Sequence, residues 1–273
     1  MRYIRLLFRL AATLAAVFLC ASALLWNAPG REVDENVLSG YAASSPATPR
    51  WTSYADFAVW YADELRQGRA GNSVQFGAPV HELIAERAGL TLETAAKGLA
   101  AAWILSISAS VLAHFWPFAG RAALAAGSLT FCLPSAFLVL CLLFAGASPW
   151  VGLTICVWPR IHAYLEAFLE RARRRTHVVA LMTQGAGPWR VQWDAVWRPL
   201  VPQLLGLAAV SAPILLGALI PVEVICDQPG LGQLAWKAVA GRDLPLLTTL
   251  TLLFAAISSS FSLCAELFLP EAV

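Results

Sequence analysis

Long stretches without a charged side chain constrain the fold of this chain more than any other feature. These stretches are 10–30, 98–159 (apart from Arg121), 199–222 and 245–265. An uncharged apolar run of about 20 residues is long enough to cross a bilayer as a helix. Hydrophobic residues make up 59% of the 273 residues and charged residues only 13%. The sequence therefore predicts an all-α, polytopic membrane protein rather than one or two soluble domains.

We predict about six membrane-spanning helices, because each apolar run has the length of one span. They are 8–26, 92–114, 122–145, 150–168, 200–222 and 246–266. Arginines precede the first helix and are densest in the segment 169–199, so the positive-inside rule predicts that both lie in the cytoplasm. Alternation then predicts that 27–91 and 223–245 lie outside and that the C-terminus is cytoplasmic. Residues 1–273 thus form a single transmembrane domain.

The first helix, the fourth helix and the outer segment 27–91 each need a separate interpretation. A cleaved signal peptide is the alternative for the first helix, but bulky residues precede Cys20, so we expect an uncleaved helix. Pro159, Arg160 and His162 interrupt the fourth helix, so we expect it to bend and leave the membrane early. In the outer segment, 27–51 is rich in Pro, Ser and Ala and is expected to be mobile, whereas apolar spacing predicts a short amphipathic helix over 54–65.

Composition and motifs argue against several classes of protein. The six cysteines form no CxxC or Cys/His ligand pattern, so we expect no metal site and no cofactor. No basic cluster is interleaved with aromatic residues, which argues against nucleic-acid binding. The sequence holds no G-x-x-x-x-G-K-[ST], H-E-x-x-H or G-x-S-x-G motif, and His162 and Glu166 on one helical face are weak support for catalysis. We therefore expect no catalytic residue.

The segment 223–245 is polar and rich in turns, although apolar runs flank it. It holds acidic and basic residues together with the run Pro229-Gly230-Leu231-Gly232. Such backbone belongs outside the hydrocarbon layer or inside protein, which predicts a structured loop between two spans. An acid, then Pro-Gly-x-Gly-x-Leu, a short helix and Arg-Asp-x-Pro resemble the loop before the last helix of peptide-class ATP-binding-cassette (ABC) permeases. Those proteins are inner-membrane subunits of dipeptide, oligopeptide and nickel importers.

The resemblance gives this loop a place at the outer mouth of a solute path. The residues assigned to the outer loop or gate are Glu223, Asp227, Pro229, Gly230, Gly232, Arg242, Asp243 and Pro245. A turn scaffold that holds the last two spans together and a direct contact with the solute both remain open. Arg242 and Asp243 could pair locally or cap the last span.

The N-terminal part of the chain resembles the same permeases. Ala28-Pro29-Gly30 follows the first helix, and Gly71-Asn72-Ser73 stands before Pro79-Val80 and Thr91-Leu92-Glu93. The pieces occur in the order found in that family. Thr91 is expected to be the N-cap of the second span, because its hydroxyl can accept from first-turn amides.

The resemblance also implies a contact with an ATPase in the segment 169–199. Its residues are Val179, Ala180, Leu181, Met182, Thr183, Gln184 and Gly185, with Pro202 at the family's spacing. Gly185 can end a short coupling helix with a positive φ. The segment lacks the family's basic pair, having Met182, Thr183 and Gln184 before the glycine, and has Asp194 where relatives usually place His. The alternative is an amphipathic loop that lies on the membrane with its tryptophans at the interface.

Together these patterns imply a permease subunit that imports peptides or a similar small solute by alternating access. The resemblance implies four partners besides the lipid bilayer: a second permease subunit, two P-loop ATPase subunits and an extracytoplasmic substrate-binding protein. It also implies a bacterial-type plasma (inner) membrane. The chain has no P-loop, so ATP hydrolysis would belong to the partners. A permease for an unrelated solute, an exporter and a non-transporting membrane scaffold are the alternatives.

Overall fold

A computed structural model describes residues 2–27, 51 and 53–268 of the chain. Within these ranges the structure is helical, and the β structure is confined to an isolated bridge between Asn72 and Pro79. The all-α prediction is confirmed. The helices are α1 (Arg2–Trp26), α2 (Tyr54–Arg66), α3 (Val80–Phe115), α4 (Pro117–Cys132), α5 (Ser135–Phe144), α6 (Pro149–Arg173), α7 (Thr176–Thr183), α8 (Pro188–Arg190), a π-helix (Val191–Trp197), α9 (Arg198–Ile225), α10 (Leu231–Ala240) and α11 (Leu244–Phe268).

The chain divides into two compact units. The first unit comprises Met1–Thr91 and Pro229–Ser259, and the second comprises Leu92–Gln228 and Ser260–Val273. The motif at 28–30 and most of the segment expected to be mobile lie outside the described residues, as does the C-terminal end of the chain.

Several helices are suited to crossing a membrane. Among the described residues, three helical stretches are long and apolar enough to cross a membrane: α3, the run Pro188–Ile225 and Leu244–Cys264. Helices α4 and α5 are long and apolar enough only when taken together, and a bend of 105° separates them. Helix α1 carries a shorter apolar stretch at Phe8–Leu24. The chain is thus a multi-pass membrane protein. Helices occupy all six predicted positions, and the count of six spans stays a prediction.

The third predicted span, 122–145, is wrong as one continuous helix. Helix α4 ends at Cys132, Leu133 is extended with φ −96° and ψ 139°, and α5 begins after Pro134. The physical reason is the proline, because its ring disfavours helical backbone at the residue before it and removes a donor from the helix.

The helix predicted at the fourth span is not interrupted, whereas its bend and its early exit from the membrane stay predictions. Helix α6 runs without a break through Pro159 and Arg160 to Arg173. Pro159 and Ile161 are buried on this helix, whereas Arg160 is exposed. Burial of apolar side chains along α6 offsets the single hydrogen bond that the proline removes.

The core of the second unit forms where α6 packs beside α3 and α9. Fully buried side chains include Leu153, Ile161 and Leu219. A Cβ placed on Gly98 of α3 would lie 3.0 Å from Leu153 Cδ2, and the Thr154 hydroxyl donates to the Gly98 carbonyl oxygen at 3.3 Å. Gly98 therefore allows α3 and α6 to approach closely, as small residues do in membrane helix pairs.

The core of the first unit joins the start of α3, α10 and the start of α11. Helix α2 confirms the amphipathic helix predicted over 54–65, and a capping box between Ser53 and Asp56 begins it. Phe57 and Tyr61 are fully buried on its inner face. The Tyr61 ring stacks on Phe18 with centroids 5.6 Å apart, so α2 is fixed to α1.

Candidate functional site

The coupling segment, residues 179–185, begins on α7 and ends in a glycine turn. Helix α7 spans Thr176–Thr183, and Gly185 follows with φ +76°. The Ala186 N–H donates to the Leu181 carbonyl at 3.2 Å, which closes the end of the helix. The prediction that Gly185 ends this helix with a positive φ is confirmed. Pro202 lies inside α9.

Helix α7 is anchored on one side and exposed on the other. Val178 is fully buried, and Leu181 packs against the core of the second unit. Ala180, Thr183 and Gln184 are exposed together with Gly185. The end of the segment is therefore exposed and carries no charged side chain.

A π-helix packs against α7, and sequence reasoning missed it. Between Val191 and Trp197 the backbone is π-helical, and Gln192 and Val196 on it are buried. Trp189 and Trp193 are 65% and 67% exposed. A period of 3.6 residues does not describe this stretch, so the sequence pattern gave no signal for it.

Asp194, which stands where relatives usually have His, forms an ion pair across one turn. Its carboxylate lies 3.8 Å from Arg190 Nε, and both side chains are exposed. An exposed pair of this kind contributes little to stability. The substitution therefore changes the charge of this surface more than its fold.

The first part of the outer loop belongs to the second unit. Glu223 is fully buried in the last turn of α9, and Asp227 follows with φ +48°. The Gln228 N–H donates to the Glu223 carbonyl at 2.9 Å, and the Gln228 side-chain amide donates to the Thr94 hydroxyl at 2.6 Å. The end of α9 is therefore held to α3.

The second part of the outer loop belongs to the first unit and begins with a cap. Pro229 is exposed, Gly230 is the extended N-cap residue of α10, and Gly232 is buried in the first turn. The Leu231 N–H donates to the Thr91 hydroxyl at 2.7 Å. The expectation that Thr91 caps the second span is wrong, because α3 begins at Val80 and the Thr91 hydroxyl caps α10 instead.

Asp243 is a buried polar residue of the outer loop with several hydrogen-bond partners. Its carboxylate accepts hydrogen bonds from the Ser73 hydroxyl, from the Gln75 N–H at 3.1 Å and from the Leu246 N–H at 3.2 Å. The last contact is the N-cap of α11, which is one of the two roles that the sequence left open for Asp243. Asp243 and Pro245 are buried, whereas Arg242 is exposed with φ +50°.

Sequence reasoning missed the link between Ser73 and Asp243. The Ser73 hydroxyl also accepts from the Phe76 N–H at 3.0 Å, which shapes the turn before α3. The two residues are 170 positions apart, so no local pattern joins them. The available signal was that both lie in motifs of one family.

The described residues offer little for chemistry. Within 2–27, 51 and 53–268, no group of three or more His, Cys, Asp or Glu residues could hold a metal ion. His162 is 3% exposed and stacks on Trp158 with ring centroids 5.7 Å apart. Glu166 lies one helical turn further along the same helix. This arrangement is consistent with packing in a helix core.

Comparison with known proteins relates the chain to membrane transport. Residues 101–270 match the family described as binding-protein-dependent transport system inner membrane component. A probable peptide ABC transporter permease protein from Sinorhizobium fredii is 23% identical over 239 residues, which are 77% of this chain and 76% of that protein. A metal-staphylopine import system permease protein from Staphylococcus aureus is 31% identical over 72 residues, which are 26% of this chain and 23% of that protein. The family match includes the coupling segment and residues 223–245.

Proposed function

This chain belongs to the family of inner membrane components of binding-protein-dependent transport systems and is the permease subunit of an ABC transporter. We propose that it forms part of the solute path of an importer in a bacterial inner membrane. A second permease subunit completes the path, and two P-loop ATPase subunits power it. A binding protein delivers the solute from outside. ATP binding and hydrolysis shift the permease between two states, which is alternating access by a change of populations.

The observation that carries the proposal is the geometry of the coupling segment. Val178 and Leu181 anchor α7, and the positive φ of Gly185 turns the chain sharply at its exposed tip. A short anchored helix moves with the helices beneath it, so a force applied at the tip reaches α6 and the π-helix. The exposed, uncharged end of the segment suits contact with a cleft of an ATPase.

At the outer face, we propose that residues 223–245 act first as a scaffold. The bonds of Thr91, Asp243 and Gln228 are directed at backbone and neighbouring side chains rather than outward. Exposed Pro229 and Arg242 are the residues of this loop that a binding protein could contact. Replacing exposed Arg242 by Ala separates the two roles, because a docking contact predicts lost uptake with normal amounts of protein.

For the solute we propose a peptide or another small, weakly charged compound. The predicted spans 122–145 and 200–222 hold no charged side chain, and charged groups in a bilayer are costly unless they serve a function. The Sinorhizobium relative is named for peptides and the Staphylococcus relative for metal-staphylopine. Both names are compatible with a path that tolerates different small solutes.

Affinity purification of the tagged chain from its native membrane in mild detergent tests the assembly. We expect stoichiometric recovery of a P-loop ATPase and of a second permease, identified by mass spectrometry. Recovery of the folded chain alone would support the scaffold alternative, which the missing basic pair at 182–184 favours. Direction of transport follows from uptake of labelled peptides into proteoliposomes with ATP on one side only, and outward movement would indicate an exporter.

A further inference from the structure

A pocket of about 280 Å³ lies beside the coupling segment in the second unit. The C-terminal ends of α3 and α6 form one side of it, and the start of the π-helix forms the other. Its polar lining consists of His114, Arg173 and Gln192, and the remaining lining is apolar, including Val191 and Val196. None of these residues has a role in the coupling contact proposed above.

Two side chains on this pocket hold donors without a partner. Gln192 is only 4% exposed, and its Nε2 has no hydrogen-bond partner among the residues that the structure describes. The same holds, within those residues, for Nε and Nη2 of Arg173, which is half-buried. A buried donor without an acceptor costs free energy, and the cost is larger for a charged group. Among the described residues, these donors on Gln192 and Arg173 have no acceptor oxygen in hydrogen-bond reach.

The chemistry of the missing partner follows from these donors. An arginine guanidinium donates only and stays charged, and its planar fork matches the oxygens of phosphate or carboxylate. The amide nitrogen of Gln192 adds a neutral donor on the same pocket. A group with several oxygens and a negative charge would satisfy both residues.

The surroundings favour a lipid as the source of that group. Phe115, Trp116, Trp189 and Trp193 are 48%, 64%, 65% and 67% exposed in the segments that form the pocket. The rings of Phe115 and Trp189 lie 5.4 Å apart. Exposed aromatic side chains of this kind lie at the level of lipid headgroups, and basic pockets between membrane helices bind anionic headgroups.

We propose that the pocket lined by Arg173 and Gln192 binds the phosphate of an anionic phospholipid beside the coupling segment. Arg173 and Gln192 hold the phosphate oxygens, while Val191 and Val196 border the apolar part of the lipid. Because the headgroup contacts the π-helix and α6 together, it fixes the base of the coupling segment. The lipid site exists whichever solute is transported.

Native mass spectrometry of the detergent-purified protein tests the site by titration with phosphatidylglycerol and with phosphatidylcholine. We expect tighter binding of phosphatidylglycerol, and loss of about tenfold of that affinity in Arg173→Gln, as expected for a charge-assisted hydrogen bond. Gln192→Leu keeps the size of the side chain and should weaken binding in the same direction. Arg175→Gln is the matched control, because Arg175 is an exposed arginine on the same segment and does not line the pocket.

Four outcomes would overturn the proposal. Equal losses in Arg173→Gln and Arg175→Gln would indicate attraction by net charge alone. Displacement of the lipid by millimolar inorganic phosphate would assign the pocket to a free anion. Unchanged lipid binding in Arg173→Gln, with a co-purifying ATPase lost, would assign it to an acidic group of that partner. Unchanged binding in both pocket variants would exclude the site. The variant Arg173→Lys and a melting curve for each variant separate loss of binding from loss of folding.

Discussion

The hydroxyl of Ser73 donates to the carboxylate of Asp243, and this bond ties the turn before α3 to the start of α11. Both side chains are fully buried. The same carboxylate accepts two backbone N–H groups, from Gln75 and Leu246. Three donors thus depend on one buried acceptor, and two of them, on Ser73 and Leu246, belong to fully buried residues.

Asp243→Asn should therefore reduce the amount of folded protein. The new amide group places a donor where two or three donors already converge, and each buried group left unsatisfied costs about 1–3 kcal/mol. The amount of protein in membranes and its melting temperature in detergent measure the effect. Glu86→Gln, at an exposed acid of the same unit, is the control and should behave as wild type. Equal stability of both variants would contradict this account of Asp243.

Thr91→Val should loosen α10 without changing the size of the side chain. The variant removes the acceptor of the Leu231 N–H, and loss of a cap costs about 0.5–2 kcal/mol. Hydrogen exchange should increase at the first residues of α10 and less elsewhere. Thr91→Ser keeps the hydroxyl and should retain the wild-type pattern. Equal exchange in the Val and Ser variants would show that the hydroxyl does not matter.

Two glycines of α3 should respond to alanine in opposite directions. A Cβ on Gly98 would lie 3.0 Å from Leu153, so Gly98→Ala should destabilise the second unit by about 1 kcal/mol or more. A Cβ on Gly89 meets no atom within 4 Å, so Gly89→Ala should stabilise the helix by about 0.5–1 kcal/mol. Melting temperatures of the two variants decide the point, and a shift in the same direction would contradict the close approach of α3 and α6.

Gly185→Val should impair transport while the protein still reaches the membrane. The positive φ of Gly185 is strained for a side chain by about 1–2 kcal/mol, although the space around it is open. Strain should therefore alter the turn rather than the core. Gly185→Asn is the control, because Asn tolerates this backbone conformation. Solute uptake and ATPase recovery should fall in the Val variant only, and normal uptake there would remove the coupling role.

Tyr61 should make the protein sensitive to alkali. Burial raises the pKa of Tyr61 to about 12, against a partial lowering by its 2.8 Å hydrogen bond to Thr249. The folded protein holds this phenol neutral at a pH where the unfolded chain ionises it, so stability falls as pH rises from the ordinary value of 10.0 toward 12. Melting temperatures at about pH 9 and pH 11 measure the loss. The loss should be smaller in Tyr61→Phe, and an equal loss would assign it to other groups.

The sequence predicted the parts of the fold that depend on composition and local pattern. Apolar runs indicated the long helices, and apolar spacing indicated α2. The positive φ of Gly185 followed from a residue type that favours it, and the cap at Asp243 was one of two roles that its residue type suggested. These features are local, so a short window of sequence contains what determines them.

The parts that sequence did not predict depend on contacts between distant residues or on competing local effects. Thr91 was expected to cap its own helix, but its partner Leu231 is 140 positions away. Pro134 breaks a helix whereas Pro159 does not, because buried contacts along α6 offset the lost bond. No periodicity in the sequence indicated the π-helix. Likewise, no sequence pattern indicated that Arg173 and Gln192 line one pocket.

The break between α4 and α5 also restricts whether lipid, water or protein can lie next to that part of the chain. Carbonyl groups at the end of α4 have no following helical turn to bond, and hydrocarbon tails offer them nothing in return. If the break lies within the hydrocarbon layer, we expect this backbone to face water or another protein rather than lipid. Cys132, exposed in the last turn of α4, is a natural reporter there. A water-soluble maleimide that reaches this thiol would identify a hydrated lining, and protection that disappears without the second permease would identify a subunit boundary.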